Sequence, residues 1–385
     1  MTSDMPGLGP TLTPLEIATA TVAGRDEDRP SLPPTPAGMT ARAALENAVL
    51  PAVARPPCVV TFSGGRDSSL VLAAAAAVAR REGLPLPVPV TIDFVGIESA
   101  DESKWQHLVL DHLGISEWER RPITNELDRL GPIATRALTR HGVLWPLNCY
   151  VHEAVIDRAT GGSLMTGMFG DSLFGGGRWG RANQVLAGRA RPGARDVLRV
   201  GLAFAPRAVR REVARRRVQD MPWLRPEAHR EFEQAIAEAQ ASIPVRWTDW
   251  IDWYFRRRSM TVSNQSMQAI GGGAGALVIQ PLSDPGLLAA MRDAGSARGF
   301  GTRTDAMRAL FTELLPDPVL AREDKAVFAD AFRGEASREF ARTWNGEGVD
   351  SDIVDVEALA ELWRSDSIHG RTTLLLHQAW LHANT

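Results

Sequence analysis

The segment Val59–Ser69, VVTFSGGRDSS, holds the residue types from which a phosphate site is made. A short apolar, β-branched run ends in Ser63-Gly64-Gly65, and a helical pattern starts near Asp67-Ser68. Two glycines permit a tight turn and let backbone amides approach an anion closely. The start of the following helix adds unpaired N–H groups and the positive end of its dipole. Ser63, Ser68 and Ser69 contribute hydroxyl donors. Asp67 would repel a phosphate met directly, so its chemistry in such a loop is to hold Mg²⁺, which bridges to phosphate oxygens. The loop lacks the Gly-Lys-Ser/Thr ending of a Walker A sequence. A Gly-Gly turn between strand and helix also serves purely structural ends.

A second segment, Ser163–Gly177 (SLMTGMFGDSLFGGG), repeats the plan: a short strand, a turn containing Gly167 and Gly170, then Asp171. Open α/β sheets bind ligands outside the carboxyl ends of their strands, at a switch point in strand order. Two strand ends that each deliver one aspartate suit a single magnesium ion held against a triphosphate. Asp67 and Asp171 are therefore expected to converge.

The elements that must position these residues read as an alternating series. Cys58–Phe62, Val88–Phe94, Trp118–Ile123 and Ser163–Thr166 are expected strands; Ala41–Val53, Ser68–Arg81, Glu102–Leu113, Asn125–Thr139 and Asn148–Ala159 are expected helices. Such alternation argues for a parallel sheet covered on both faces. From Asn183 onward the patterns are helical with little strand signal. The expected organisation is a mobile Pro-rich tail (1–40), an α/β core (41–180) and a mostly helical portion (181–385) that completes the substrate pocket.

Composition narrows the function classes. With 385 residues, 44% hydrophobic, the chain can bury a sizeable core. A balance of 43 basic against 46 acidic residues excludes a bulk nucleic-acid binder. The two cysteines, Cys58 and Cys149, cannot form a disulfide framework, which fits a reducing compartment. No apolar run reaches the ~18 residues that span a bilayer, and the N-terminus lacks the basic head and apolar stretch of a secretory signal. A soluble cytoplasmic protein with no membrane partner is expected. Only Lys104 and Lys325 are lysines in an arginine-rich background. Arg178–Arg217 holds twelve arginines against Asp196 and Glu212, either a solvated face or a dock for an acidic peptide or other anionic partner. Trp247, Trp250, Trp253, Tyr254 and Phe255 have helical spacing and form either core or the wall of a substrate pocket.

Taken together the motifs carry a family resemblance. Ser63-Gly64-Gly65-Arg66-Asp67-Ser68 resembles the SGGxDS loop of ATP pyrophosphatases. Gly167–Gly176, GMFGDSLFGG, aligns without gaps to GEGADELFGG, and Leu315–Phe328, LPDPVLAREDKAVF, matches an "LP, Arg, Lys, Phe" element. With these three, roughly residues 41–345 resemble the synthetase domain of asparagine synthetases, β-lactam synthetases and lasso-peptide cyclases. Pro281-Leu282-Ser283-Asp284 sits where that family has Pro-Phe-Leu-Asp, and Glu98–Glu102 where a member would start its second helix.

The resemblance implies an adenine-nucleotide α-hydrolase-like α/β fold, ATP and Mg²⁺, and AMP-forming amide synthesis. A substrate carboxylate would attack the α-phosphorus of ATP, pyrophosphate would leave, and an amine would displace AMP from the acyl-adenylate. Carried over residue by residue, it implies that Ser63, Gly64, Gly65, Asp67, Ser68, Ser69, Gly167 and Gly170 hold the nucleotide. Asp67 and Asp171 would be metal ligands, and Lys325 with Arg322 would place positive charge near the reacting carbonyl or the pyrophosphate.

Departures from the pattern shape the substrate expectation. Thr2 stands where asparagine synthetases expose a nucleophilic cysteine, so ammonia from glutamine within this chain is not expected. Ser172 replaces the usual glutamate after the second aspartate, Met168 replaces an acidic residue, and Leu277 stands where asparagine synthetases carry a glutamate. An aspartate-and-ammonia pocket is therefore not expected. Lasso-type cyclases and other natural-product amide ligases fit better, with a small-molecule or peptide substrate carrying a carboxylate and an amine. Two other readings stay open: a tRNA-modifying ATP pyrophosphatase, and a nucleotide-binding scaffold that has lost its chemistry. Arg66, in the loop's variable position, has no role assignable from sequence.

Overall fold

The computed structural model describes residues 9–324, 326, 328–365 and 369–385. In chain order the first half comprises α1 (Pro14–Thr19), α2 (Ala41–Val53), β1 (Cys58–Thr61), α3 (Arg66–Glu82), β2 (Val88–Phe94), α4 (Ser103–Leu113), β3 (Glu119–Ile123), α5 (Pro132–His141), β4 (Ser163–Met165) and α6 (Gly170–Phe174). Next come α7 (Gly180–Leu186), α8 (Ala194–Phe204), α9 (Arg207–Arg215), α10 (Pro226–Ala241), α11 (Trp247–Phe255) and α12 (Arg258–Gly273). The chain then adds β5 (Leu277–Ile279), α13 (Pro285–Ala294), α14 (Arg303–Phe311) and α15 (Asp317–Leu320), and finishes with α16 (Glu335–Thr343), α17 (Val356–Arg364) and α18 (Thr373–Asn384).

The five strands lie in the order β3-β2-β1-β4-β5, and each adjacent pair is parallel. Val59 of β1 pairs with Val88 on one side and Leu164 on the other. The series steps outward from β1 to β3, then returns to β1's other edge with β4, so the strand order switches direction between β1 and β4. Side chains alternate across the sheet as the pleat requires. Val59, Val90, Leu164 and Val278 enter one core with α5 and α12. Cys58, Val60 and Met165 enter the other, with α2, α3, α11 and α13. Alanine-rich α3 buries eleven consecutive or near-consecutive positions from Ser68 to Ala79, because small side chains let a helix lie close on the sheet.

The expected α/β class with a parallel sheet is what the structure has, with four differences. The strand β5 falls inside the portion read as helical. At three residues it is too short for alternation to register, and it exists because β4 offers an open edge. The helix expected from Asn125 starts only at Pro132, because the Glu126 carboxylate accepts the backbone N–H groups of Thr124 and Asn125 and holds a turn there. Asn148–Ala159 winds as two tight 3₁₀ segments, Cys149–Ala154 and Ile156–Ala159. Finally, residues 9–40 pack on the body where a mobile tail was expected. Trp145 and Trp223 donate indole N–H bonds to the carbonyls of Ala20 (3.2 Å) and Ala18 (2.8 Å). Glu16 pairs with Arg258 at 2.7 Å, and Arg29 lies 3.8 Å over the Phe255 ring. Proline content reports how stiff this segment is; the partners that hold it lie over a hundred residues away and leave no local signal.

Candidate active site

The turn after β1 is built by its own residues. Gly64 has φ +82°, a left-handed value that suits glycine, and a Cβ there would press on the Gln106 side chain of α4. The Ser68 hydroxyl accepts from the Ser63 N–H at 3.2 Å and donates to the Gly65 carbonyl at 3.1 Å, closing the loop. Gly65 is the N-cap of α3 and makes no side-chain cap bond, so the first-turn N–H groups of a 17-residue helix stay unclaimed by a cap. That is the condition for an anion to bind there. Ser63 is exposed at the mouth of the turn. Ser69, expected among the nucleotide-binding residues, is fully buried, and its hydroxyl has no hydrogen-bond partner among the described residues.

The turn after β4 is packed directly on this loop. A Cβ on Gly167 would sit 2.6 Å from the Ser68 amide nitrogen, and a Cβ on Gly170 would overlap the Asp67 carboxylate. These two glycines therefore permit the close approach of the two turns. Between them Phe169 holds φ +75°, a conformation that costs a non-glycine residue about 1 kcal/mol or more. Its carbonyl accepts the Tyr254 hydroxyl at 3.2 Å, tying α11 to the turn.

Asp67 and Asp171 converge. A single guanidinium bridges them: Arg303 Nη2 lies 2.6 Å from Asp67 Oδ1, and its Nη1 binds Asp171 Oδ1. Burial pushes the Asp67 carboxyl above the usual range, against the opposing pull of Arg303. Arg303 is the first residue of α14, and its Nε is buried without a partner among the described residues. The two carboxylates thus converge on one positive charge. Among the described residues no group of three or more His, Cys, Asp or Glu side chains converges. Two carboxylates suit magnesium, which typically takes one or two carboxylates and completes its shell with phosphate oxygens and water.

Arg322 does not face this cleft. Its guanidinium binds both oxygens of buried Glu102, with Nη1 to Oε2 at 2.8 Å, donates to the Gly64 carbonyl at 3.1 Å, and stacks 4.7 Å over Trp105. Its Nε holds Asp324 at 2.9 Å. With these donors committed and the side chain 4% exposed, Arg322 is a positioning residue, which corrects the catalytic role expected of it. Lys325, the other expected catalytic residue, lies outside the described residues. Its neighbours are anchored to α4 or the residue before it: Asp324 accepts from Trp105 at 3.1 Å, and the Ala326 N–H donates to Glu102 at 3.1 Å. Arg66 now has a role, because its Nη1 donates to Thr304 Oγ1 and the Leu320 carbonyl, both at 3.2 Å. It fastens the start of α3 to α14 and α15.

Next to Asp171 opens a cavity of about 390 Å³, walled by Trp250, Trp253 and Tyr254 and lined by Ser172, Arg178 and Arg257 among others. The aromatic run of α11 thus serves both as core and as a cavity wall. Burial pushes the Tyr254 hydroxyl up to about 12, so it stays a neutral donor. Arg257 lies 4.2 Å over the Tyr254 ring, and it makes no ion pair with a carboxylate among the described residues. Sequence reasoning missed Arg303 and Arg257. In an arginine-rich chain neither type nor spacing distinguishes them. Cys58 and Cys149 are removed from any nucleophilic role, since burial pushes their thiols up to about 11 and about 12.

Among the described residues no helix is long and apolar enough to cross a membrane. No curated protein matches the chain. The family model for asparagine synthase matches residues 40–382. Since that match runs from the start of α2 into α18 and takes in both converging turns, the chain belongs to the asparagine synthase family, a family of ATP-dependent, AMP-forming amide ligases.

Proposed function

We infer that this protein adenylates a substrate carboxylate with ATP and joins it to an amine carried by a peptide or specialised metabolite, in the manner of a macrolactam-forming cyclase. The observation that carries the reading is the convergence of Asp67 and Asp171, from the ends of β1 and β4, on one cation at the point where strand order switches. The uncapped start of α3 would hold the departing pyrophosphate through backbone N–H groups, with Ser63 at the mouth of the turn. Preorganised donors of this kind stabilise charge that develops on the leaving group. Asp67 and Asp171 would hold Mg²⁺, which offsets the charge of the phosphates. Arg303 occupies the shared position between the two carboxylates and must release them when the site loads. Lys325 carries over from the family as the compact positive charge near the reacting carbonyl. The aromatic-walled cavity beside Asp171 supports a substrate larger than aspartate, as do Leu277 and Ser172 in place of acidic residues.

The test is product analysis with Mg²⁺, ATP and candidate peptides or amino acids. AMP with pyrophosphate is the expected outcome; ADP with phosphate rules the mechanism out. Asp67→Asn and Asp171→Asn should each lower turnover by about a hundredfold or more, the scale of losing an electrostatic stabiliser. Calorimetry should show Mg²⁺ binding weakened in both variants and strengthened in Arg303→Met, which removes the competing cation.

A further inference from the structure

Helix α8 is folded with its apolar side outward. Its buried residues are Asp196 and Ala203, seven apart on one face, and Asp196 lies under ion pairs from Arg181 and Arg199, both at 2.8 Å. On the opposite side Val197, Gly201 and Phe204 follow one another at helical spacing, with Leu198 beside them. Val197 is 63% exposed, Leu198 75% and Phe204 60%. Of the seven large apolar side chains exposed among the described residues, five lie between Leu186 and Val209. An exposed apolar patch rimmed by polar groups marks an interaction site.

The rim specifies the partner's charge. Arg191 and Arg195 make no ion pair among the described residues, and Arg207 and Arg211 stand beyond them on α9, sharing Glu238. The only acids from 178 to 217 are Asp196, on the buried side of α8, and Glu212, held by Arg215 and Arg216. A second copy of the chain would bring two such cationic faces together. Nothing lies within 4 Å of a Cβ placed on Gly201, so the strip has a notch between Leu198 and Phe204 that a partner's side chain can fill. A lipid surface gains nothing from a notch. We propose that α8 and the start of α9 form a docking strip for an acidic amphipathic segment of a polypeptide. Its apolar side chains would lie on Val197, Leu198 and Phe204, and its carboxylates would lie against the flanking arginines.

The strip adjoins the cavity. Arg210 of α9 donates at 3.2 Å to the carbonyl of Ile243, a lining residue, and Arg178 binds Gln240 across the lining. A docked segment would therefore run toward the cavity; only this direction rests on the amide-ligase reading.

The test uses full-length protein and a fluorescein-labelled 18-residue peptide of glutamate and leucine, with leucines at helical spacing. Anisotropy should report binding that weakens as salt rises. Leu198→Asp and Arg195→Glu should each weaken it by about tenfold, equivalent to ~1.4 kcal/mol. The same peptide with lysine in place of glutamate should not bind. Both substituted residues lie on the exposed side, and Mg²⁺-ATP binding should be unchanged in these variants. Loss of ATP binding in the wild type would therefore count against the ligase reading and leave the strip untouched. The proposal is overturned by absence of binding at low salt, or by binding indifferent to both substitutions. It is equally overturned if Leu198→Asp abolishes binding to phosphatidylglycerol vesicles or a sedimenting dimer while peptide binding persists.

Discussion

At the scale of single residues, charge decides between catalysis and positioning. Asp67 and Asp171 meet on one shared guanidinium, whereas Arg322 spends its donors on Glu102, Gly64 and Asp324. Removing one partner of a buried pair strands the other, at a typical cost of 3–5 kcal/mol. Arg322→Met should therefore destabilise the protein by about 3 kcal/mol in urea denaturation. Adding Glu102→Gln should recover part of that loss, because no buried charge is then left unpaired. If Arg322→Met kept full stability while turnover collapsed, the positioning assignment would be wrong. The sequence supplied the identity of both aspartates but ranked Arg322 with Lys325, since proximity along the chain says nothing about which donors are already occupied.

At the scale of elements, the site depends on two turns that touch. Gly170 faces the Asp67 carboxylate with no room for a methyl group. Gly170→Ala must push the turns apart, and overpacking of this kind costs about 1–3 kcal/mol. The expected result is a lowered melting temperature together with a fall in turnover larger than unfolding explains. Gly370→Ala, just before α18, where an added Cβ meets nothing, should leave turnover unchanged and serves as the control. The glycines of GMFGDSLFGG are legible in sequence as a turn. That they exist to admit Asp67 is not, because the contact spans a hundred residues.

At the scale of the whole molecule, the C-terminal helix α18 closes a separate core of α1, Trp223, α17 and Leu376. His377 of this helix is buried edge-on to Tyr150, with ring centroids 5.7 Å apart, and donates to the Arg129 carbonyl at 2.9 Å. Burial pushes its pKa down to about 4 from an ordinary 6.5. The unfolded chain therefore binds a proton that the folded chain refuses, and stability falls as pH drops from 6.5 toward 4. The slope for one such group reaches about 1.4 kcal/mol per pH unit. His377→Gln should flatten this part of the stability curve, measured by urea denaturation at pH 7 and pH 5. An unchanged slope would place the acid sensitivity elsewhere.

By itself the sequence determined the alternating α/β pattern, the span of α2 and β2, and the two strand-end aspartates, because these are written in local periodicity and in glycine, serine and aspartate at fixed spacing. Tertiary structure alone decided the rest: the strand order that brings Asp67 to Asp171, the arginine that bridges them, the anchoring of residues 9–40, and the outward apolar face of α8. Each of these depends on which distant surface meets which, and long-range pairing leaves no trace in a local window of residues.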